Sequence, residues 1–361
     1  MKKYFLCLLL FLFACKKENP EPSADSELYF PPNNSSEWEK TTPESLGWNT
    51  SQIPVLQTFL QDNNTRAFIV LKNGKIVMEE YFGNNLTNTG TFTANSNWYW
   101  ASAGKTLTGF LVGIAQKENL LNIEEKTSTY LGAGWSSLTL TQENQITVKN
   151  QLTMTTGLDD GVSNKDCTDK TCLTFLTAPG TRWAYHNAPY TILDRVIQSA
   201  TNQTFSNYFN ARLRDKIGMD GNWIKTGDNN VYYSTPRAMA RFGLLLLNKG
   251  KWKEEVILND ENYLNAMTSS SQNLNLAYGY LTWLNGKNSF MVPTLQTVFS
   301  GSISANAPAD MFAAMGKNGQ LINVVPSQNL VIIRMGDNPD NSAVPFTFQN
   351  DLWAKIKLVI N

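Results

Sequence analysis

Strand-forming sequence lies at both ends of this chain, and the long stretch between them is mostly helix-forming. Near the start, Ala67-Phe68-Ile69-Val70-Leu71-Lys72 and Lys75-Ile76-Val77-Met78-Glu79-Glu80-Tyr81 flank Asn73-Gly74, the two-residue turn best matched to an antiparallel hairpin. Near the end, Met311 to Met315, Leu321 to Val325 and Leu330 to Met335 are apolar runs parted by Gly-, Pro- and Asn-containing turns, and Phe348 to Ile360 reads as an amphipathic helix. The middle carries helical stretches over Thr106 to Lys117, Val148 to Thr153, Tyr190 to Ala200 behind Pro189, Thr204 to Lys216 and Thr235 to Asn248. The expected fold class is therefore α/β (α+β): an antiparallel sheet built from both termini and flanked by helices, with an inserted, mostly helical subdomain. A site is expected in the crevice between sheet and insertion.

With 361 residues, 42% of them hydrophobic, the chain can bury a large core. Thirty Lys and Arg balance thirty Asp and Glu, so no basic stripe marks a nucleic-acid partner. The first residues are patterned differently. Lys2 and Lys3 precede an apolar run, Phe5 to Phe13, too short to span a membrane, and Leu12-Phe13-Ala14-Cys15 follows. This resembles the lipobox of bacterial lipoproteins. The resemblance implies a signal peptide over residues 1–15, lipid on Cys15, and a bacterial cell-envelope location with a membrane anchor; an ordinary signal peptide with an incidental cysteine is the alternative. Residues 16–45, polar and rich in Pro, Asn and Ser, read as a flexible linker. Of the remaining cysteines, Cys167 and Cys172 are close enough in an exported chain for a small-loop disulfide. A single histidine argues against a Cys/His zinc site, and neither a metal nor a cofactor is expected.

Ser102-Ala103-Gly104-Lys105 opens the helical stretch that begins the insertion. A hydroxyl with a lysine three residues on shares one helix face, and the first-turn N–H groups favour a developing alkoxide, so the pair can be nucleophile and base. A helix-capping serine beside an exposed lysine has the same spacing. A second segment, Tyr185-His186-Asn187, presents a phenol and a carboxamide on one side of an extended stretch and turns His186 to the other. That makes His186 a structural or rim residue. A nearby ammonium is expected to push Tyr185 toward its ionised form, and burial to push Lys105 toward neutral amine, so that the two relay a proton. The third segment, Ala313-Ala314-Met315-Gly316-Lys317-Asn318-Gly319-Gln320, is strand followed by a glycine-rich turn whose N–H can complete an oxyanion hole with that of Ser102.

Ser102-x-x-Lys105, Tyr185-x-Asn187 and a strand ending in Gly316 together resemble the serine hydrolases related to class C β-lactamases and DD-peptidases. The resemblance runs from about Pro43 to the C-terminus, which makes residues 46–361 one β-lactamase-related serine hydrolase domain. Leu152-Thr153-Met154-Thr155-Thr156-Gly157-Leu158, Pro179-Gly180-Thr181, Ala240-Arg241-Phe242-Gly243-Leu244 and Tyr278-Gly279-Tyr280 are most similar to its esterase and 6-aminohexanoate-dimer hydrolase branch. It implies Ser102 as acylated nucleophile, Lys105 as base, Tyr185 as proton shuttle, Asn187 as the group orienting substrate and lysine, and the N–H groups of Ser102 and Lys317, beside Gly316, as oxyanion donors. Asp160, with Asp159, stands in a loop from which it can contact a substrate amine. Where the β-lactamases carry Lys-Thr-Gly, this chain has Ala314-Met315-Gly316, which removes the lysine that helps bind a substrate carboxylate. The implied function is acyl-enzyme hydrolysis of a small amide or ester. The alternatives are a β-lactamase or DD-peptidase acting on cell-wall peptides, or a penicillin-binding-like sensor without turnover. Oligomeric state is not legible here.

Overall fold

The computed structural model describes residues 28–340 and 342–360. The strands at the two ends of the chain pair into one antiparallel sheet of six: β1 (Thr65–Lys72), β2 (Lys75–Tyr81), β3 (Trp283–Leu284), β4 (Phe312–Gly316), β5 (Gln320–Val325) and β6 (Leu330–Gly336), in the order β2-β1-β6-β5-β4-β3. The first and last strands meet at its centre, with Ile69 opposite Ile333 and Leu71 opposite Val331. Asn73 and Gly74 close the first hairpin with φ of 50° and 80°, the left-handed pair that such a turn requires.

Alternation along β6 fixes what covers each face of the sheet. Val331 and Ile333 face α3 (Pro236–Leu247), numbered after α1 (Ile53–Asp62) and α2 (Gly104–Lys117), whereas Arg334, one residue out of phase, lies over the Phe348 ring of α4 (Phe346–Ile360). Phe59 of α1 stacks on Phe348 with ring centroids 5.8 Å apart. Helix α2 is buried from Gly104 to Ala115. Its buried threonines are paired inward: Thr106 Oγ1 donates to Leu281 O at 2.8 Å, and Thr108 Oγ1 meets the Tyr190 hydroxyl at 3.4 Å.

The insertion is less helical than its sequence suggests. Asn222–Thr226 and Asn229–Ser234 form a hairpin to which Trp98–Tyr99 adds a third strand. The stretch Tyr190 to Ala200 splits into helices Asn187–Thr191 and Leu193–Thr201, and Thr204 to Lys216 breaks after Phe209 into a wider turn.

The expected linker over 16–45 needs a correction where it is described. From Leu28 onward it is packed onto the domain, with a parallel bridge from Lys40 to Ile76, a 3₁₀ turn starting at Glu44 and two aromatic anchors: Phe30 edges onto Trp252, and Trp38 donates Nε1–H to Gly74 O at 2.8 Å. Arg241 of α3 sits between the Trp38 and Trp252 rings and donates to the Pro32 and Ile217 carbonyls at 2.7 and 2.9 Å. Single aromatic anchors met by a distant arginine leave no periodic trace in composition, which is why the packing was not legible there. Residues 16–27, and Cys15 with the segment before it, lie outside the described residues.

Candidate active site

A short 3₁₀ turn, Ala101–Ala103, carries Ser102 immediately before α2, and Lys105 points back from the first turn of that helix. The turn is reached through Ala101 at φ 46°, a left-handed conformation that L-residues other than glycine rarely adopt and that bends the chain out of the Trp98–Tyr99 strand. Lys105 Nζ lies 3.0 Å from Ser102 Oγ and 2.8 Å from Asn187 Oδ1. Asn187 comes from the start of the Asn187–Thr191 helix, so residues from two helix starts meet at the Lys105 amine.

Lys105 is 3% exposed, and burial pulls its ammonium down to about 7. The Asp166 carboxylate opposes this from behind Asn187. No carboxylate touches the amine itself among its hydrogen-bonded partners, which are Ser102 and Asn187; its other close neighbours are the Tyr190 and Tyr185 rings, 4.3 and 5.0 Å away. A neutral amine has two N–H donors and one lone pair. One donor goes to Asn187 Oδ1, and the lone pair is left for the serine proton.

Tyr185 departs from the sequence expectation. Burial pushes its phenol well above the usual range, only partly offset by hydrogen bonds to the Ser102 and Trp283 side chains, so it stays a neutral O–H donor. Its ring is stacked on Trp283 at 5.6 Å, and Tyr278 meets both rings edge-on. Trp283 in turn packs edge-on against Phe346, which lines a cavity of about 330 Å³ with Phe290, Val292, Phe299 and Val344.

The end of β4 closes the site from the sheet side. A Cβ built on Gly316 would lie 2.6 Å from Trp100 O, 2.8 Å from Ala103 N and 3.0 Å from Ser102 N, so backbone abuts backbone there. The turn that follows is held by two side chains: Asn318, at φ 64°, donates Nδ2–H to the Tyr99 hydroxyl at 2.7 Å, and the buried Arg334 donates to Gly319 O at 3.0 Å and to Asn63 O at 2.6 Å. Lys317 has its side chain in solvent. Ala314, two residues before Gly316 and on the same face of the strand, is 1% exposed.

The structure thus gathers Ser102, Lys105, Tyr185, Asn187 and Gly316 into one site. Asp160 is engaged elsewhere, by Arg182 at 2.5 Å, and Asp159 accepts from the Gly161 N–H at 2.8 Å. His186 turns away into the protein with no hydrogen-bond partner for either ring nitrogen, and burial pulls it down to about 4. Cys167 and Cys172 are joined as a disulfide. Among the described residues no group of three or more His, Cys, Asp or Glu is placed to hold a metal ion. Asp166, Trp283 and Tyr190 had no signal of their own in the sequence, since their neighbours reach them only through the fold.

The beta-lactamase family model matches residues 57–342, most of the chain. This chain belongs to the beta-lactamase family. Its fold is similar to that of a putative 6-aminohexanoate-dimer hydrolase from Bacillus anthracis, at TM-score 0.67 and 19% identity over 91% of this chain and 89% of that one. A putative beta-lactamase from Bacteroides dorei follows at TM-score 0.64 and 15% identity, covering 87% and 99%. A penicillin binding protein from Bacillus halodurans has TM-score 0.61 and 16% identity, covering 84% and 99%. No curated protein matches the sequence. Membership makes the chain a hydrolase of the serine-based β-lactamase fold, while likenesses at these identities speak to the fold alone.

Proposed function

We propose that the chain hydrolyses a small amide or ester through an acyl-enzyme on Ser102. The observation that carries this is the buried Lys105 amine, 3.0 Å from Ser102 Oγ and poised near neutrality. Ser102 Oγ attacks the carbonyl carbon while its proton passes to the Lys105 lone pair. The carbonyl oxygen takes the negative charge and is met by the backbone N–H groups of Ser102 and Lys317. As the bond to the leaving group breaks, the Tyr185 hydroxyl supplies the leaving group's proton and is refilled from the Lys105 ammonium. Water then attacks the acyl carbon, its proton is taken by the same pair, and Ser102 is released with its hydrogen restored.

The same catalytic groups serve a second reading, a β-lactamase or DD-peptidase acting on cell-wall peptides, and the solved structures similar in fold include proteins of both names. Against it stands Ala314, where the resemblance implies a carboxylate-binding lysine. On the sequence of residues 1–15 we also propose a lipid anchor at Cys15 and a cell-envelope location. A fluorophosphonate probe tests the nucleophile: it should label the wild type and leave Ser102→Ala blank, and equal labelling of both would end the proposal. Assays on p-nitrophenyl acetate, a chromogenic cephalosporin, D-amino-acid amides and a linear ω-amino-acid dimer then separate the two readings.

A further inference from the structure

Asn187 is held from both ends. Its Oδ1 accepts from Lys105 Nζ at 2.8 Å, and its Nδ2–H donates to Asp166 Oδ1 at 2.7 Å. Asp166 immediately precedes Cys167, which the disulfide to Cys172 ties down. The segment on both sides of Asp166 is fastened beside the site: the Ala188 N–H, next to Asn187, donates to Lys165 O at 3.1 Å, and Arg195 reaches Thr168 O inside the disulfide loop.

An amide can be turned end for end at little cost in shape, and here the two orientations are chemically opposite. With Oδ1 toward Lys105, the amine donates to Asn187 and keeps its lone pair for Ser102. With Nδ2 toward Lys105, a neutral amine would have to accept, and the lone pair needed for the serine proton would be occupied. An ionised carboxylate only accepts, so Asp166 admits only the first orientation.

We propose that Asp166 is a positioning residue of this site, held in place by the Cys167–Cys172 cross-link, which fixes the orientation of the Asn187 amide and thereby keeps the Lys105 lone pair directed at Ser102. This rests on the serine hydrolase reading above. The groups facing Lys105 are Ser102 from its own turn, Asn187 with Asp166 behind it from the insertion, and the Tyr185 and Tyr190 rings. The Asp166 charge raises the Lys105 amine against the pull of burial.

Variants of the full chain separate orientation from charge. Asp166→Ala removes both, Asp166→Asn keeps a similar shape without the charge and without the acceptor-only constraint, and Cys167→Ser with Cys172→Ser frees the loop. Two readouts are needed. The first is the titration of the Lys105 ε-carbon resonance, assigned by its loss in Lys105→Ala; the second is the pH dependence of fluorophosphonate labelling at Ser102. Removing a nearby negative charge makes the ammonium easier to deprotonate, so both the resonance and the acid limb of labelling should move to lower pH by about 0.5 to 1 unit in Asp166→Ala and Asp166→Asn. Labelling on the plateau should fall about tenfold or more in Asp166→Ala, less in Asp166→Asn, and in the same direction in the double serine variant, with Asp166→Glu restoring part of it. An unshifted resonance together with wild-type labelling in Asp166→Asn would overturn the proposal. So would slower labelling with an unshifted limb and a lowered unfolding temperature, the mark of a merely structural role. A wild type that does not label at all would sink the hydrolase reading instead, and the resonance would still decide the role of Asp166.

Discussion

Gly316 and Ser102 are in backbone contact across the site: a methyl group on the glycine Cα would come within 3.0 Å of the serine nitrogen. It would come closer still to Trp100 O and Ala103 N, at 2.6 and 2.8 Å. All three are main-chain atoms, which cannot rotate aside, so Gly316→Ala must push β4 and the Ser102 turn apart. The donors proposed to meet the oxyanion belong to those two segments. Losing the alignment of one such donor costs about 10²–10³ in kcat. Gly316→Ala should therefore cut turnover of p-nitrophenyl acetate by about that factor; near-wild-type kcat would place the oxyanion elsewhere.

The pH profile follows from Lys105. With the amine at about 7 in the folded protein, the base form is scarce below neutrality and complete about two units above it. The kcat/KM for a neutral ester should rise with pH through a single step near 7 and then level off, because the Tyr185 phenol is held far above that range by burial. A profile that falls between pH 7 and 9 would mean that the ammonium, not the amine, is the active form. Lys105→Ala and Tyr185→Phe should each lower kcat by about two decades, and the double variant by much less than their product if the pair acts as one unit.

How much of this was legible in the sequence depends on whether the signal was local. The Asn73-Gly74 hairpin, the strands over 312–336 and Ser102-x-x-Lys105 are set by near neighbours, and the structure places them as the pattern indicates. The Asn222–Ser234 hairpin was equally local, with Gly227-Asp228 between two alternating runs, but its apolar content was too thin to stand out. The protonation of Tyr185 was not legible, because it is decided by burial among Trp283, Tyr278 and the sheet rather than by the lysine three-dimensionally beside it. Asp166 was invisible for the same reason. Its partner is 21 residues away and is reached through a disulfide loop.

His186 supplies a stability test independent of catalysis. Buried without partners and surrounded by Asp159, Asp160, Lys165 and Asp166, it is held near 4 when folded against an ordinary 6.5. Between those values the unfolded chain binds a proton that the folded one does not, so this residue's contribution is intact above 6.5 and is lost as the pH falls through 4. The loss is about 3 kcal/mol when complete. Urea unfolding at pH 7 and pH 4.5 should show a smaller acid penalty in His186→Gln than in the wild type, while esterase activity at pH 8 persists. An unchanged penalty would mean that His186 titrates normally.

Substrate preference turns on Ala314. Being buried on the face that carries Gly316, it offers a substrate carboxylate no charge, and a charge-assisted hydrogen bond is worth about 1.5–3 kcal/mol, or about one to two decades in binding. A cephalosporin should be hydrolysed with lower kcat/KM than a small neutral ester, with Ser102→Ala as the blank. The reverse order would show that another cation receives the carboxylate and would favour the β-lactamase reading.

The packed strap that precedes the domain makes the last expectation, which concerns where a shortened chain remains stable. Phe30 and Trp38 are buried, Trp252 donates Nε1–H to Asn33 Oδ1 at 2.7 Å, and Arg241 and Arg237 each donate to a strap carbonyl, Pro32 O and Ser36 O. A chain starting at Leu28 keeps all of these contacts. One starting at Thr41 leaves the Arg241 guanidinium without its Pro32 partner and exposes the Trp252 face that Phe30 covers. Burying each aromatic ring gains about 1.5–3 kcal/mol, against which the cost of ordering the strap is set. The chain starting at Thr41 should unfold several degrees below the one starting at Leu28. The variant Trp38→Ala should move the full-length chain in the same direction, by an amount reflecting about 3–5 kcal/mol if the ring is as fully packed as its neighbours. Equal unfolding temperatures for the chains starting at Leu28 and Thr41 would return residues 28–40 to the role of a free linker.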